Sequence, residues 1–163
     1  MTVEKVETPV IGGGQAGLAV SGHLGRRGRP HLVVERKRIA ERWRAERWDS
    51  LVANGPAWHD RFPDLEFKCD GDAFATRDEI VSYLEDYARK VQAPVRSGVE
   101  VTALHRTADG SFRAETPQGV IEARNVVCAT GPFQKPIIPA MVPVSEGILQ
   151  IHSAHYRNPA QLP

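Results

Sequence analysis

The sequence predicts an α/β chain with a parallel central sheet and a small antiparallel β-meander beside it. Three observations carry that expectation. A short apolar strand runs into a glycine triplet, Gly12-x-Gly14-x-x-Gly17, and opens a helical pattern. A second apolar strand closes that unit, and three strand-like runs follow later across short turn pairs. At 163 residues, the chain has the size of one ordinary domain that buries a core without disulfides or metals.

Val10 and Ile11 lead into the glycines. Pro9 has no backbone donor to give a central ladder, so the first strand begins at or after it and is short. Leu18, Ala19 and Leu24 recur on one helical face up to Gly28, a residue suited to a helix C-terminus, with Pro30 just beyond. "HLVVE" then reads as a buried strand ending in Glu35, which completes a βαβ unit.

From Arg36 to Ala75 the pattern is irregular and aromatic, with Trp43, Trp48, Trp58, Phe62, Phe67 and Phe74 separated by Asp, Gly and Pro. Its opening run, "RKRIAERWRAER", is interrupted by Glu41 and Glu46 and reads as a solvated helical face. In "TRDE", Thr76 is an N-cap and Glu79 its reciprocal partner; Ile80, Tyr83, Leu84, Tyr87 and Val91 follow at helical spacing toward Pro94.

"VRSGVEVTALHR", "SFRAETP" and "VIEARNVVCATG" read as three strands. Asp109-Gly110 and Gln118-Gly119 supply the turns between them. The remainder holds six prolines between Pro132 and Pro163 and is expected to be extended or looped.

Composition excludes several classes. Hydrophobic residues at 41% and charged residues at 25% are those of an ordinary globular chain. A net charge of +1 lacks the basic excess of a nucleic-acid binder, so no nucleic-acid partner is expected. The start, "MTVEKVETP", has no apolar signal core, and no apolar run approaches membrane-spanning length; the expectation is a cytoplasmic protein without membrane contact. Cys69 and Cys128 show neither CxxC nor zinc-ligand spacing, so no metal is expected, and Cys128 reads as a small buried hydrophobe.

The glycine triplet has a physical purpose. Gly12 permits a tight turn, Gly14 lets phosphates approach the backbone, and Gly17 lets helix and strand pack closely. Gln15 and Ala16 open the helix, whose N–H groups and positive dipole end suit a pyrophosphate. This is the pattern of a Rossmann-like dinucleotide-binding domain. Glu35 would accept hydrogen bonds from an adenosine ribose and repel the extra phosphate of NADP, although Arg36 beside it could soften that repulsion. At this level FAD and NAD both remain open.

The rest of the chain resembles the N-terminal, FAD-binding part of class B flavin-dependent monooxygenases, the group of flavin-containing monooxygenases and Baeyer-Villiger enzymes. The residues that carry the resemblance are "GGGQAG", "ERWDSL", "ANGP", "CATGPFQKPIIP" and "GILQIHSAHYRNP". It implies FAD as the cofactor and a Rossmann-like FAD-binding domain that is incomplete. Residues 1–143 would be the FAD-binding portion and 144–163 a linker toward an NADPH-binding domain.

Several site residues are implied in the same way. Ala129, Thr130 and Gly131 map onto the Ala-Thr-Gly strand end that passes the FAD. Val101, Trp43 and Trp48 map onto positions near the cofactor. Asn54 maps onto an asparagine that faces the flavin where oxygen is activated, and an amide can donate to a developing oxyanion without delivering a proton. Gly147, His152, Ser153 and Tyr156 map onto the family's fingerprint, where Ser145 stands in place of its Phe and one extra residue precedes His152. His152 is thereby a hinge or linker residue.

The resemblance also implies a second glycine-rich loop, for NADPH, which these residues do not contain. The chain is then the FAD-binding portion of a longer enzyme in which NADPH reduces FAD, O2 reacts, and one oxygen passes to a small organic substrate. Alone it would not turn over, because nothing in it holds a hydride donor against the flavin. A homodimer is a further expectation. The competing readings are a non-catalytic nucleotide-binding remnant and another two-dinucleotide FAD/NAD(P) oxidoreductase; a disulfide reductase of that type would want a redox cysteine pair.

Overall fold

A computed structural model describes residues 2–140 and 147–163. The expected boundary at 143/144 and the position Ser145 lie outside the described residues. The chain divides into two compact units. One comprises Met1–Ala40 with Tyr83–Gly131, the other Glu41–Ser82 with Pro132–Pro163.

The first unit opens with β1 (Val3–Val6) and β2 (Pro9–Ile11), then α1 (Gln15–Arg26) and β3 (Leu32–Glu35). The short first strand expected after Pro9 is therefore present, at three residues. Pro9 is tolerated because it is the strand's first residue. The second unit contributes α2 (Glu41–Ala45) and α3 (Ala57–Asp60), and α4 (Arg77–Lys90) follows. After it come β4 (Val95–Ser97), β5 (Ala103–Arg106), β6 (Phe112–Thr116), β7 (Gly119–Ala123) and β8 (Val127–Cys128).

Two four-stranded sheets organise the first unit. The parallel sheet runs β4-β3-β2-β8, and the other runs β1-β7-β6-β5. The three strand-like runs of the sequence are thus redistributed. "VRSGVEVTALHR" is cut at Gly98, which takes a left-handed φ of 75°, so that β4 joins the parallel sheet and β5 the antiparallel one. "VIEARNVVCATG" is cut likewise into β7 and β8. Both turn pairs hold: Gly110 and Gly119 have φ of 84° and 149°.

β1 was not legible as a strand, because "VEKV" is too short to show a period. It is drawn in by pairing, parallel to β7 from Val3 opposite Val120 to Val6 opposite Ala123. Gly119 makes room for it: a Cβ there would lie 2.4 Å from the Thr2 carbonyl oxygen. Arg96 of β4 adds a two-pronged grip on Glu4 of β1, at 2.5 and 2.9 Å, and that hydrogen bonding holds the Glu4 carboxyl below the usual range.

Val34, Val99, Ala114 and Ile121 form a core cluster with Val6, Leu32 and Val101 packed against it. Truncating Ile121 to Ala would remove buried methyl groups at a cost of about 2–5 kcal/mol.

The inner face of α1 consists of Gly17, Leu18, Ser21 and Gly22, whereas Ala19 and Leu24 are only half-buried. The expected apolar stripe gives way to small residues because something approaches closely. A Cβ on Gly22 would lie 2.4 Å from Tyr87 Oη, and Tyr87 is 1% exposed. The helix ends as expected: Gly28 has φ 61°, its N–H reaches Gly25, and the N–H of Arg29 reaches Leu24, a Schellman closure.

α4 starts at the expected capping box. The Thr76 N–H donates to Glu79 at 2.8 Å, and the Glu79 N–H donates to the Thr76 hydroxyl at 3.3 Å. Ile80, Tyr83, Leu84 and Tyr87 are buried, while Val91 lies past the helix end.

The helical face expected for the basic run shrinks to the five residues of α2 in the second unit, and Arg36, Lys37 and Arg38, which belong to the first, are exposed outside any helix. Arg42 and Glu46 pair at i,i+4, and the Arg47 guanidinium sits 5.7 Å from the Trp43 ring centroid. The proline-rich end is held within the unit. Asp49 accepts from Asn158 at 2.7 Å and from Arg77 at 2.8 Å, which lowers its carboxyl pKa, and the Arg157 guanidinium donates to the Ala45 carbonyl at the end of α2. Among the described residues, no helix is long and apolar enough to cross a membrane.

Cys128 is a correction. The apolar run around it reads as buried, but Cys128 is exposed: β8 pairs with β2 on one side and, among the described residues, has no strand on the other.

Candidate functional site

The glycine corner joins β2 to α1 in the first unit. Gly12 has φ 113°, its N–H donates to the Val34 carbonyl at 2.8 Å, and a Cβ on it would lie 2.4 Å from the Ala129 carbonyl oxygen. Gly17, one helical turn on, would place a Cβ 1.9 Å from the carbonyl oxygen of Gly12. These two glycines are required by the fold itself. They bring together the ends of β2 and β8 and the first turn of α1.

Gly14 differs in kind. It is the N-cap of α1, with φ −89° and ψ −168°, an extended conformation open to any residue. A Cβ there would meet nothing within 4 Å. Backbone strain and internal packing therefore leave its lack of a side chain unexplained, and open space lies where that side chain would stand. No side chain caps the helix, and its first turn carries no acid. Most helices satisfy these first N–H groups with Ser, Thr, Asp or Asn. Here Gln15, Ala16 and Gly17 begin a helix whose own first turn supplies neither a capping side chain nor an acid.

Glu35, at the end of β3, turns toward this corner. Its Oε2 accepts the Gly13 N–H at 2.7 Å, and its Oε1 accepts the Lys37 N–H at 2.8 Å. Each oxygen retains a further acceptor direction. The donor set, a bare backbone cradle with amide protons and a carboxylate beside it, fits a pyrophosphate linked to a ribose.

The remaining expected residues distribute as follows. Ala129 is held in the corner, its N–H on the Ile11 carbonyl at 2.8 Å. Thr130 and Gly131 continue from it, exposed, with Gly131 at φ 77°. Arg36 is exposed next to Glu35. Val101 packs against the core cluster around Val34.

Trp43, Trp48 and Asn54 belong to the second unit. Asn54 is exposed, on a turn where the Gly55 N–H donates to Asp60 Oδ2 at 3.2 Å. His152 Nδ1 accepts the Ala154 N–H at 3.0 Å, and its carbonyl accepts the Tyr156 N–H at 3.3 Å, so it is built into a local turn.

Sequence reasoning overlooked Gly13. The one sign of it was a fourth glycine at a position the motif leaves open, and the reason for that glycine lies outside the motif.

The corner invites comparison with known proteins. The pyridine nucleotide-disulphide oxidoreductase family matches residues 10–163. An uncharacterized CzcO-like oxidoreductase of Geobacillus kaustophilus is 41% identical over 159 residues, which cover 96% of this chain and 45% of that protein. The indole-3-pyruvate monooxygenase YUCCA1 of Oryza sativa subsp. japonica is 33% identical over 133 residues, covering 80% of this chain and 33% of that protein. Among solved structures, a Q193R H194T mutant flavin monooxygenase from Stenotrophomonas maltophilia superimposes with a TM-score of 0.80 at 29% identity. That match covers 97% of this chain and 48% of the other. The chain spans less than half the length of these relatives.

Proposed function

We propose, from the premise that this chain belongs to the pyridine nucleotide-disulphide oxidoreductase family and has the Rossmann-like FAD-binding fold of the flavin monooxygenases, that it is the FAD-binding portion of an NADPH-dependent flavoprotein monooxygenase. That enzyme would insert one oxygen of O2 into a small organic substrate. The observation that carries the reading is Gly14: an N-cap with ordinary backbone angles, nothing within 4 Å of its absent side chain, and an uncapped helix start behind it.

Gly12, Gly14, Gln15, Ala16 and Gly17 would hold the pyrophosphate on backbone amides, with the α1 dipole favouring its charge. Glu35 would accept from the adenosine ribose, with Arg36 beside it. Ala129, Thr130 and Gly131 would border the cofactor where β8 ends, and Val101 would close the apolar side. The roles of Trp43, Trp48 and Asn54 rest on the resemblance of their motifs, Asn54 as the amide that donates to developing charge on oxygen. When bound, FAD supplies the two-electron and oxygen chemistry; the protein supplies binding, orientation and exclusion of water. NADPH belongs to the longer enzyme. Residues 144–163 are proposed as the linker toward its binding domain.

The test is retention. The purified chain, loaded with FAD and passed through a desalting column, is expected to carry the visible absorption bands of oxidised flavin. A colourless protein would overturn the proposal in favour of a non-binding remnant.

A further inference from the structure

Gly13 is a glycine without a conformational reason. It is absent from the positive-φ positions, and its place in the motif accepts other residues. The space beside it is what favours glycine. A Cβ on Gly13 would lie 3.1 Å from Cβ and 3.2 Å from Cγ of Glu35, close enough that the stem of the glutamate would have to give way to it. The same glutamate takes the Gly13 N–H on Oε2 at 2.7 Å and the Lys37 N–H on Oε1 at 2.8 Å. Gly13 is buried and Glu35 half-buried, a setting in which charge-assisted hydrogen bonds gain strength.

We propose that Glu35 is the positioning residue of the glycine loop: its carboxylate clamps the Gly13 amide from one side and the Lys37 amide from the other, and sets the loop in its binding shape before any nucleotide arrives. The role is separate from accepting a ribose, because both clamped donors belong to the protein. The inference deepens the nucleotide-site reading and rests on it for its purpose. A loop held in this way binds with less ordering cost. Gly13 and Glu35 are accordingly a matched pair, the glycine shaped to the glutamate's stem.

Amide hydrogen exchange of the FAD-free chain tests the clamp. In Glu35→Ala both acceptors vanish, and the Gly13 and Lys37 amides should exchange about tenfold faster or more, the loss expected for a hydrogen bond to a charged group. Glu35→Gln keeps the shape and one carbonyl acceptor, so only one of the two amides should accelerate; this variant serves if the alanine variant does not fold. Gly13→Ala pushes the stem away and should accelerate Lys37, which a purely local effect at residue 13 would not do. Wild-type exchange rates at Gly13 and Lys37 in the glutamate variants would overturn the proposal. FAD retention separates the two readings. Acceleration in a chain that retains no FAD sinks the flavin assignment and leaves the clamp standing. Unchanged exchange in a chain that binds FAD does the reverse.

Discussion

Gly17 stands so close to Gly12 that a methyl group on it would lie 1.9 Å from the Gly12 carbonyl oxygen. The contact is backbone against side chain, and no rotamer relieves it. Gly17→Ala should therefore unseat the first turn of α1 from the strand corner and cost about 1–3 kcal/mol or more in stability, the range for forced overpacking. A thermal or denaturant melt of the FAD-free chain reads this directly; a melt at the wild-type midpoint would show that the corner can yield.

The β5–β6 turn predicts a pH response. Asp109 accepts from the Thr107 hydroxyl, the Ser111 hydroxyl and the Ser111 N–H, and these bonds lower its pKa from 3.8 to about 2. A carboxyl with a depressed folded pKa contributes stability that is complete above its unfolded value and lost as protons bind the folded form. The contribution of Asp109 should thus be intact above pH 3.8 and disappear as pH falls toward about 2. NMR titration of its carboxyl carbon should give a midpoint near the lower value, and Asp109→Asn should flatten the change in stability across that window.

The turn that closes α4 holds a residue poorly suited to its place. Gln92 has φ 49°, while its N–H reaches the Arg89 carbonyl and the Ala93 N–H reaches Ala88, so a non-glycine residue holds the left-handed position of a Schellman closure. Gln92→Gly should relieve about 1 kcal/mol of backbone strain, offset in part by the greater freedom glycine has when unfolded. A small rise in melting temperature is the expected outcome, and a fall would show that the Gln92 side chain contributes more than its strain costs.

Much of this architecture was readable where local chemistry decides it. The Thr76–Glu79 capping box, the Gly28 closure and the glycine turns at Gly110 and Gly119 each depend on residues within a few positions of one another. What was not readable depends on distant partners. "VEKV" becomes β1 because β7 lies beside it, and α1 buries Gly22 because Tyr87 presses on it, some sixty positions away in the sequence. Cys128 reads as buried because "NVVC" is apolar, but exposure depends on whether a strand covers its outer edge. At the site, Gly12, Gly14 and Gly17 were legible from their spacing. Gly13 was not, because the reason for it is the side chain of Glu35.

Gly14 allows the fold and the ligand to be tested apart. Its φ of −89° and ψ of −168° lie in the extended region that valine favours, and no atom stands within 4 Å of the Cβ it lacks. Gly14→Val should therefore fold, with a loss limited to the poorer N-cap, about 1 kcal/mol. The added isopropyl group would occupy the space over the uncapped amides of α1, where a pyrophosphate would have to sit. Overpacking of about 1–3 kcal/mol against the ligand corresponds to a Kd for FAD raised about tenfold to a hundredfold. Gly17→Ala should show the opposite profile, with stability lost first and binding lost only as its consequence. Flavin fluorescence titration alongside a melt of each variant separates the two. Tight FAD binding by a well-folded Gly14→Val chain would mean that the open space at this corner is not where the dinucleotide lies.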